Sequence, residues 1–149
     1  MLQEIRMIDT RTAPYAALIL RVSLGILFLA HAGLKIVVFT PAGTAQFFGS
    51  LGLPAFLAYV VIVAEVAGGL ALILGFHARW AALALIPILI GAIVTVHGPA
   101  GFFSNPNGGW EFLAFWILAL VTQALLGEGA YAIRSGSAKA TPALSMHSA

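Results

Sequence analysis

The chain is 149 residues long, 61% hydrophobic and only 8% charged, with a formal net charge of +2 and no cysteine. A soluble domain carries about 25% charged residues, so this composition, with a mean hydropathy of +1.03, places the chain in lipid. The small, scattered charge excludes nucleic-acid binding, and the lack of cysteine excludes thiolate catalysis, disulfide exchange and cysteine-ligated iron–sulfur clusters.

Residues 1–14 are polar and mixed in charge and read as a short cytoplasmic lead. The first apolar span is expected at Tyr15–Phe39, within reach of the roughly 17–25 residues needed to cross a bilayer. Arg6 and Arg11 ahead of it, and Ala30-His31-Ala32 within it, have features of a cleavable signal. The apolar run continues to Phe39 and three more spans follow, so the segment is read as a retained helix. Thr40-Pro41 has the pattern of an N-cap followed by proline at the first helical position. It predicts a short interfacial helix over Pro41–Leu51, with Phe47 and Phe48 toward lipid.

The second span, Pro54–Phe76, carries Glu65, Gly68 and Gly69 on one face. The glycines read as notches for close helix packing. The short turn Gly75–Arg79 makes the second and third spans antiparallel neighbours. Pro87 is expected to kink the third span, Trp80–Val96. Gly98–Gly109 is a loop rich in Gly, Pro and Asn, anchored at the interface by Phe102 and Phe103. The last span is Trp110–Leu126, and residues 132–149 form a small, polar, flexible tail. The expected fold is all-α: a four-helix transmembrane bundle over 15–131, with a short interfacial helix after the first span.

If the spans alternate, Arg6, Arg11, His77, Arg79, Arg134 and Lys139 fall on one side. Lysine and arginine are retained in the cytoplasm, so both termini are expected there. His31, Lys35, His97 and Glu111 then belong to the outer half. At about 1.5 Å per residue, Lys35 lies about 6 Å deep, His31 about 12 Å and Glu65 about 16 Å, with His97 and Glu111 at the mouth. Lys35 is thus expected level with Glu111, and His31 with Glu65. Arg21, Phe28 and Lys35 repeat every seven residues along one helix face, and Glu111, Phe115, Leu118 and Thr122 form a stripe on the last helix. A charge near the bilayer centre costs about 2.5–3.5 kcal/mol, so charges kept there imply pairing, use or both. Arg21 lies only about 9 Å from the cytoplasmic end and can instead snorkel or pair structurally. Lys35 and Glu111 can be a structural latch, and His97 can simply face water. Two histidines suit haem, but the depth difference of about 12 Å between His31 and His97 disfavours one shared iron. No spacing motif supports another metal.

Taken in order, these residues resemble the DoxX family of small four-span membrane proteins. The resemblance rests on Arg21-Val-Ser-Leu-Gly25-Ile-Leu-Phe28, His31-Ala-Gly33-Leu-Lys35, Phe47-Phe48 and Gly52-Leu53-Pro54. It continues through Glu65 with Gly68-Gly69, Gly75, Arg79, His97, Gly101-Phe102 and Gly109-Trp110-Glu111-Phe112, over about Tyr15–Tyr131. The chain is similar to the DoxD-type subunit of a thiosulfate:quinone oxidoreductase, and other family members are associated with oxidative-stress complexes. The resemblance implies a four-helix bundle and points to Arg21, Lys35, Glu65, His97 and Glu111.

The leading expectation is a component of a membrane redox complex, with a quinone-like or small-anion site in the outer half of the bundle. Lys35, Glu65 and Glu111 would supply the chemistry. Arg21, Phe28, His31, His97, Phe112 and Phe115 would bind the ligand. Because the sequence carries no haem, flavin or metal motif, a partner protein would deliver electrons. The alternatives are a small proton-coupled transporter, which four spans would require to act as a homo-oligomer, and a non-catalytic membrane scaffold.

Overall fold

The computed structural model describes residues 9–106 and 108–133, and all regular structure among them is helical. Helix α1 (Ala13–Gly33) runs directly into a wide π turn, Leu34–Val38. There the Phe39 N–H reaches back five residues to the Leu34 carbonyl at 2.9 Å. Helix α2 (Pro41–Ser50) begins as its sequence requires: Pro41 takes the first helical position and Thr40 Oγ1 accepts the Gly43 N–H at 3.1 Å. Helix α3 (Phe56–Leu74) stops at Gly75. Helix α4 (Ala78–Ala92) continues through Pro87. The departure from regular α geometry falls after the proline, in a second π turn at Ile93–His97 that leads into the single turn α5 (Gly98–Ala100). Helix α6 (Glu111–Leu126) closes the bundle. Ala13–Val38, Phe56–Leu74 and Ala78–Ala100 are long and apolar enough to cross a membrane, while α6 is apolar but shorter.

Helix α1 packs chiefly on α3, α3 on α4 and α4 on α6, leaving α1–α6 as the sparsest seam of the bundle. A Cβ on Gly25 would lie 2.6 Å from the Gly69 carbonyl oxygen, and one on Gly69 would lie 3.0 Å from the Gly25 carbonyl oxygen. The α1 and α3 backbones therefore touch at this crossing. Gly68 receives Leu85 of α4 instead. The adjacent glycines thus serve two neighbours, as close helix packing in lipid demands. Leu24, Phe28, Leu72, Leu85, Trp116 and Leu120 form the core. Ile19, Val63, Trp80, Val94 and Leu125 point outward as the apolar coat that lipid covers.

Two expectations change here. The α6 stripe of Phe115, Leu118 and Thr122 faces outward, while Leu113, Trp116, Leu120 and Gln123 are buried. Burial of Trp116 and the leucines against α4 sets the rotation of this helix. Arg21, expected both as a ligand contact and as a structural partner, sits at the end of the bundle away from Lys35 and is bonded structurally. Its Nη1 donates to the carbonyls of Leu72, at 3.0 Å, and Ile73, and its Nη2 donates to the Ala130 carbonyl at 2.8 Å. The last carbonyls of a helix lack partners within it, and a cation at that end also opposes the helix dipole. Arg21 supplies both needs for α3 and fastens the segment after α6. Gly75 must be glycine here. Its φ is +73°, and a Cβ would lie 2.6 Å from Ala132 Cβ and 3.0 Å from the guanidinium carbon. The expected tail of 132–149 lies outside the described residues beyond Ile133, as do residues 1–8 of the lead.

Replacing Arg21 by Ala should lower stability by about 2–4 kcal/mol. Arg21→Lys should recover only part of this loss, since one ammonium cannot repeat the fork of the guanidinium. Denaturant unfolding of the purified protein in micelles measures both variants.

Candidate functional site: a buried ion pair with an aromatic wall

Lys35 lies in the π turn that ends the first span. Its Nζ donates to Glu65 Oε1 at 2.8 Å and to Oε2 at 2.9 Å, joining α1 to α3. The side chains are 19% and 4% exposed, so the carboxylate is enclosed and the ammonium is open on one side. Depth along the helix axes places Lys35 level with Glu111, yet it bonds Glu65. Side chains lean toward the N-terminus of their own helix. In the antiparallel pair α1 and α3, that tilts Lys35 inward and Glu65 outward, and the long lysine stem closes the remaining gap. Helix α2 braces the turn, because the Thr44 hydroxyl donates to the Thr40 carbonyl at 2.9 Å and lies 3.3 Å from that of Lys35.

His31 sits one helical turn below Lys35, within electrostatic reach of Glu65. Its Nδ1 is 2.9 Å from the Leu27 carbonyl. A carbonyl only accepts, so Nδ1 carries a proton and Nε2 remains for another partner. The His31 ring stands edge-on to Trp116 with centroids 5.0 Å apart. Phe28 and Phe112 contact the same indole at 4.6 and 5.5 Å. Trp116 is 3% exposed and its Nε1 is buried without a hydrogen-bond partner.

His31, Phe28 and Phe112 are thus gathered around Trp116, and Lys35 and Glu65 pair at the adjoining α1–α3 contact, with His31 within electrostatic reach of Glu65. Four candidates lie elsewhere. Phe115 is 70% exposed on the outer surface of α6, and Arg21 is the clamp at the opposite end. Glu111 Oε1 accepts the Phe103 N–H of the Gly98–Gly109 loop at 3.2 Å, while its Oε2 is buried without a partner. His97 Nδ1 is likewise buried and unpartnered beside Gly108. Among the described residues, no ion pair joins Glu111 to Lys35, and no three His, Asp or Glu side chains gather as a metal-ligating set. Trp116 and Gln123 escape the sequence reading. Gln123 carried a usable signal as an amide inside an apolar helix, and here it donates to the Gly127 carbonyl at 2.7 Å. Trp116 carried none, because an aromatic in an apolar helix is ordinary core.

An ammonium has three N–H donors, and Glu65 engages two of them. One remains, with His31 one helical turn away on the same helix. The pair has no net charge, so the surroundings suit a neutral, flat, carbonyl-bearing compound better than an anion. These residues fit a quinone ring in chemistry: donors for carbonyl oxygen and rings for its faces.

The fold and the site together define a small four-helix integral membrane protein with an ion pair enclosed between its first and second spans. The chain belongs to the DoxX family, whose model matches residues 16–98 and so includes Phe28, His31, Lys35 and Glu65. It is 40% identical over 111 residues to "Putative oxidoreductase CatD" of Bacillus subtilis, covering 74% of this chain and 78% of that protein. It is 39% identical over 66 residues to "Inner membrane protein YqjF" of Escherichia coli, covering 44% of this chain and 49% of that protein. No solved structure matches.

Removing one partner of a buried pair strands the other and costs about 3–5 kcal/mol. Lys35→Met should therefore destabilise the bundle strongly, and adding Glu65→Leu should restore much of the loss. A double-mutant cycle from unfolding in mixed micelles should show that non-additivity.

Proposed function

We propose that this chain is the membrane-embedded component of a redox complex, and that the Lys35–Glu65 pair forms one wall of a binding site for a quinone-like ligand. One observation carries the proposal: an enclosed carboxylate holds a lysine with a third donor left over, and His31, one helical turn away on the same helix, packs on Trp116 together with Phe28. The name of the Bacillus relative supports an oxidoreductase context. Reduction of a quinone to a quinol takes two electrons and two protons. The bound quinone would supply the electron-accepting chemistry. Lys35 donates to a carbonyl oxygen and orients it, Glu65 and His31 Nε2 hold and pass protons, and the rings exclude water. A partner protein carrying a reduced cofactor delivers the electrons.

The bacterial inner membrane is the proposed location, supported by the name of the Escherichia relative. Both termini are placed in the cytoplasm by the lysine and arginine bias. The site then lies in the half of the bundle away from the cytoplasm.

A scaffold role is favoured by one feature of the same pair, which ties α1 to α3. Ligand binding separates the two readings. Organic extracts of protein purified from native membranes should contain quinone, and added short-chain quinones should raise the unfolding temperature of the wild type. Lys35→Gln should abolish that rise even where the variant remains folded. An extract free of quinone together with no thermal shift would leave the scaffold reading standing.

A further inference from the structure

Buried tryptophan N–H groups ordinarily find an acceptor, and one left without a partner in a low-dielectric interior is costly. Trp116 Nε1 is such a group: the side chain is 3% exposed and the nitrogen has no partner. It lies where α1 meets α6, and rings dominate its surroundings there: Phe28 and His31 from α1, Phe112 from its own helix. This is the sparsest seam of the bundle. Phe112 is 52% exposed and His31 is half-buried, so two of these rings border the outer surface of the seam. Rings can part without breaking any backbone hydrogen bond. A bilayer-dissolved compound that parted these rings would meet a donor without an acceptor. A lone N–H with no counter-charge selects a neutral acceptor, and among membrane-soluble neutral acceptors the common one is a carbonyl oxygen.

We infer that the indole N–H of Trp116 is a specificity donor for the carbonyl oxygen of a membrane-soluble ligand that enters between α1 and α6. The inference rests on the quinone-site proposal and adds to it a second hydrogen-bond donor and a route. Lys35 and Trp116 are two separate donors, the number that a ring bearing two carbonyls would use. Phospholipid esters present the same oxygen chemistry, so the ligand class is a neutral carbonyl and its source is a matter for the test.

The full chain, labelled with 15N-tryptophan in a carbonyl-free maltoside detergent, gives one indole N–H resonance for each of Trp80, Trp110 and Trp116. Trp80→Phe and Trp110→Phe, at residues 66% and 41% exposed, assign the third signal by elimination, even where Trp116→Phe fails to fold. Titration with a short-chain quinone should move the Trp116 signal downfield to saturation and leave the other two nearly fixed. Trp116→Phe, where folded, should weaken quinone binding about tenfold, the value of one well-placed hydrogen bond. If a diester phospholipid alone moves the Trp116 signal as far as the quinone does, the donor serves lipid and the quinone assignment is overturned. An unmoved Trp116 signal alongside a quinone-dependent rise in unfolding temperature overturns the inference and spares the quinone site. If neither responds, the site proposal falls and takes the inference with it.

Discussion

The architecture depends on one contact made in lipid, the two-pronged bond from Lys35 to Glu65. Either charge alone is costly at this depth, so the inserted helices have one acceptable arrangement, with α1 beside α3. The rest of that interface makes the approach possible. Gly25 and Gly69 let the backbones touch, and the π turn after α1, braced by Thr44 of α2, presents the lysine. The bond between the chain's deepest acid and its neighbouring cation therefore orders the first half of the molecule, and the second half packs against that frame through Gly68 and Leu85.

The two ends of the bundle use charge differently. At the end holding Arg21, a guanidinium satisfies carbonyls of α3 and of the segment after α6. That arrangement is saturated at Nη1 and Nη2, and its purpose is closure. Toward the opposite end, polar atoms remain uncommitted: the third proton of Lys35, Nε2 of His31, and the unpartnered atoms of Trp116, His97 and Glu111. Unused hydrogen-bonding capacity inside lipid is expensive. Arg21 Nε and Gln123 Oε1 are buried without partners as well, so the two ends differ in how their charges are used and not in whether every polar atom is satisfied.

Much of this was legible in the amino acids. Hydrophobic run length located the three long apolar helices and the shorter apolar α6, Thr40-Pro41 located the start of α2, and the paired glycines located the close crossings. The partner of Lys35 was not legible from rise per residue, because that calculation follows backbone atoms, whereas the bond is made by side chains leaning toward each other from antiparallel helices. Arg21 looked like a ligand contact because sequence shows a buried charge without showing which carbonyls lie around it. The rotation of α6 was missed because Glu111 suggested an inward face, when the acid instead accepts the Phe103 amide of the loop. Trp116 gave no warning at all, since its significance lies in an acceptor it does not have.

The brevity of α6 has a physical consequence of its own. Sixteen residues span about 24 Å, against about 30 Å of hydrocarbon. Along this flank the bilayer must dimple or the Phe102–Phe103 loop must sink below the headgroups, and such hydrophobic mismatch costs a fraction of a kcal/mol per ångström. The flank that carries this mismatch adjoins the sparse seam between α1 and α6.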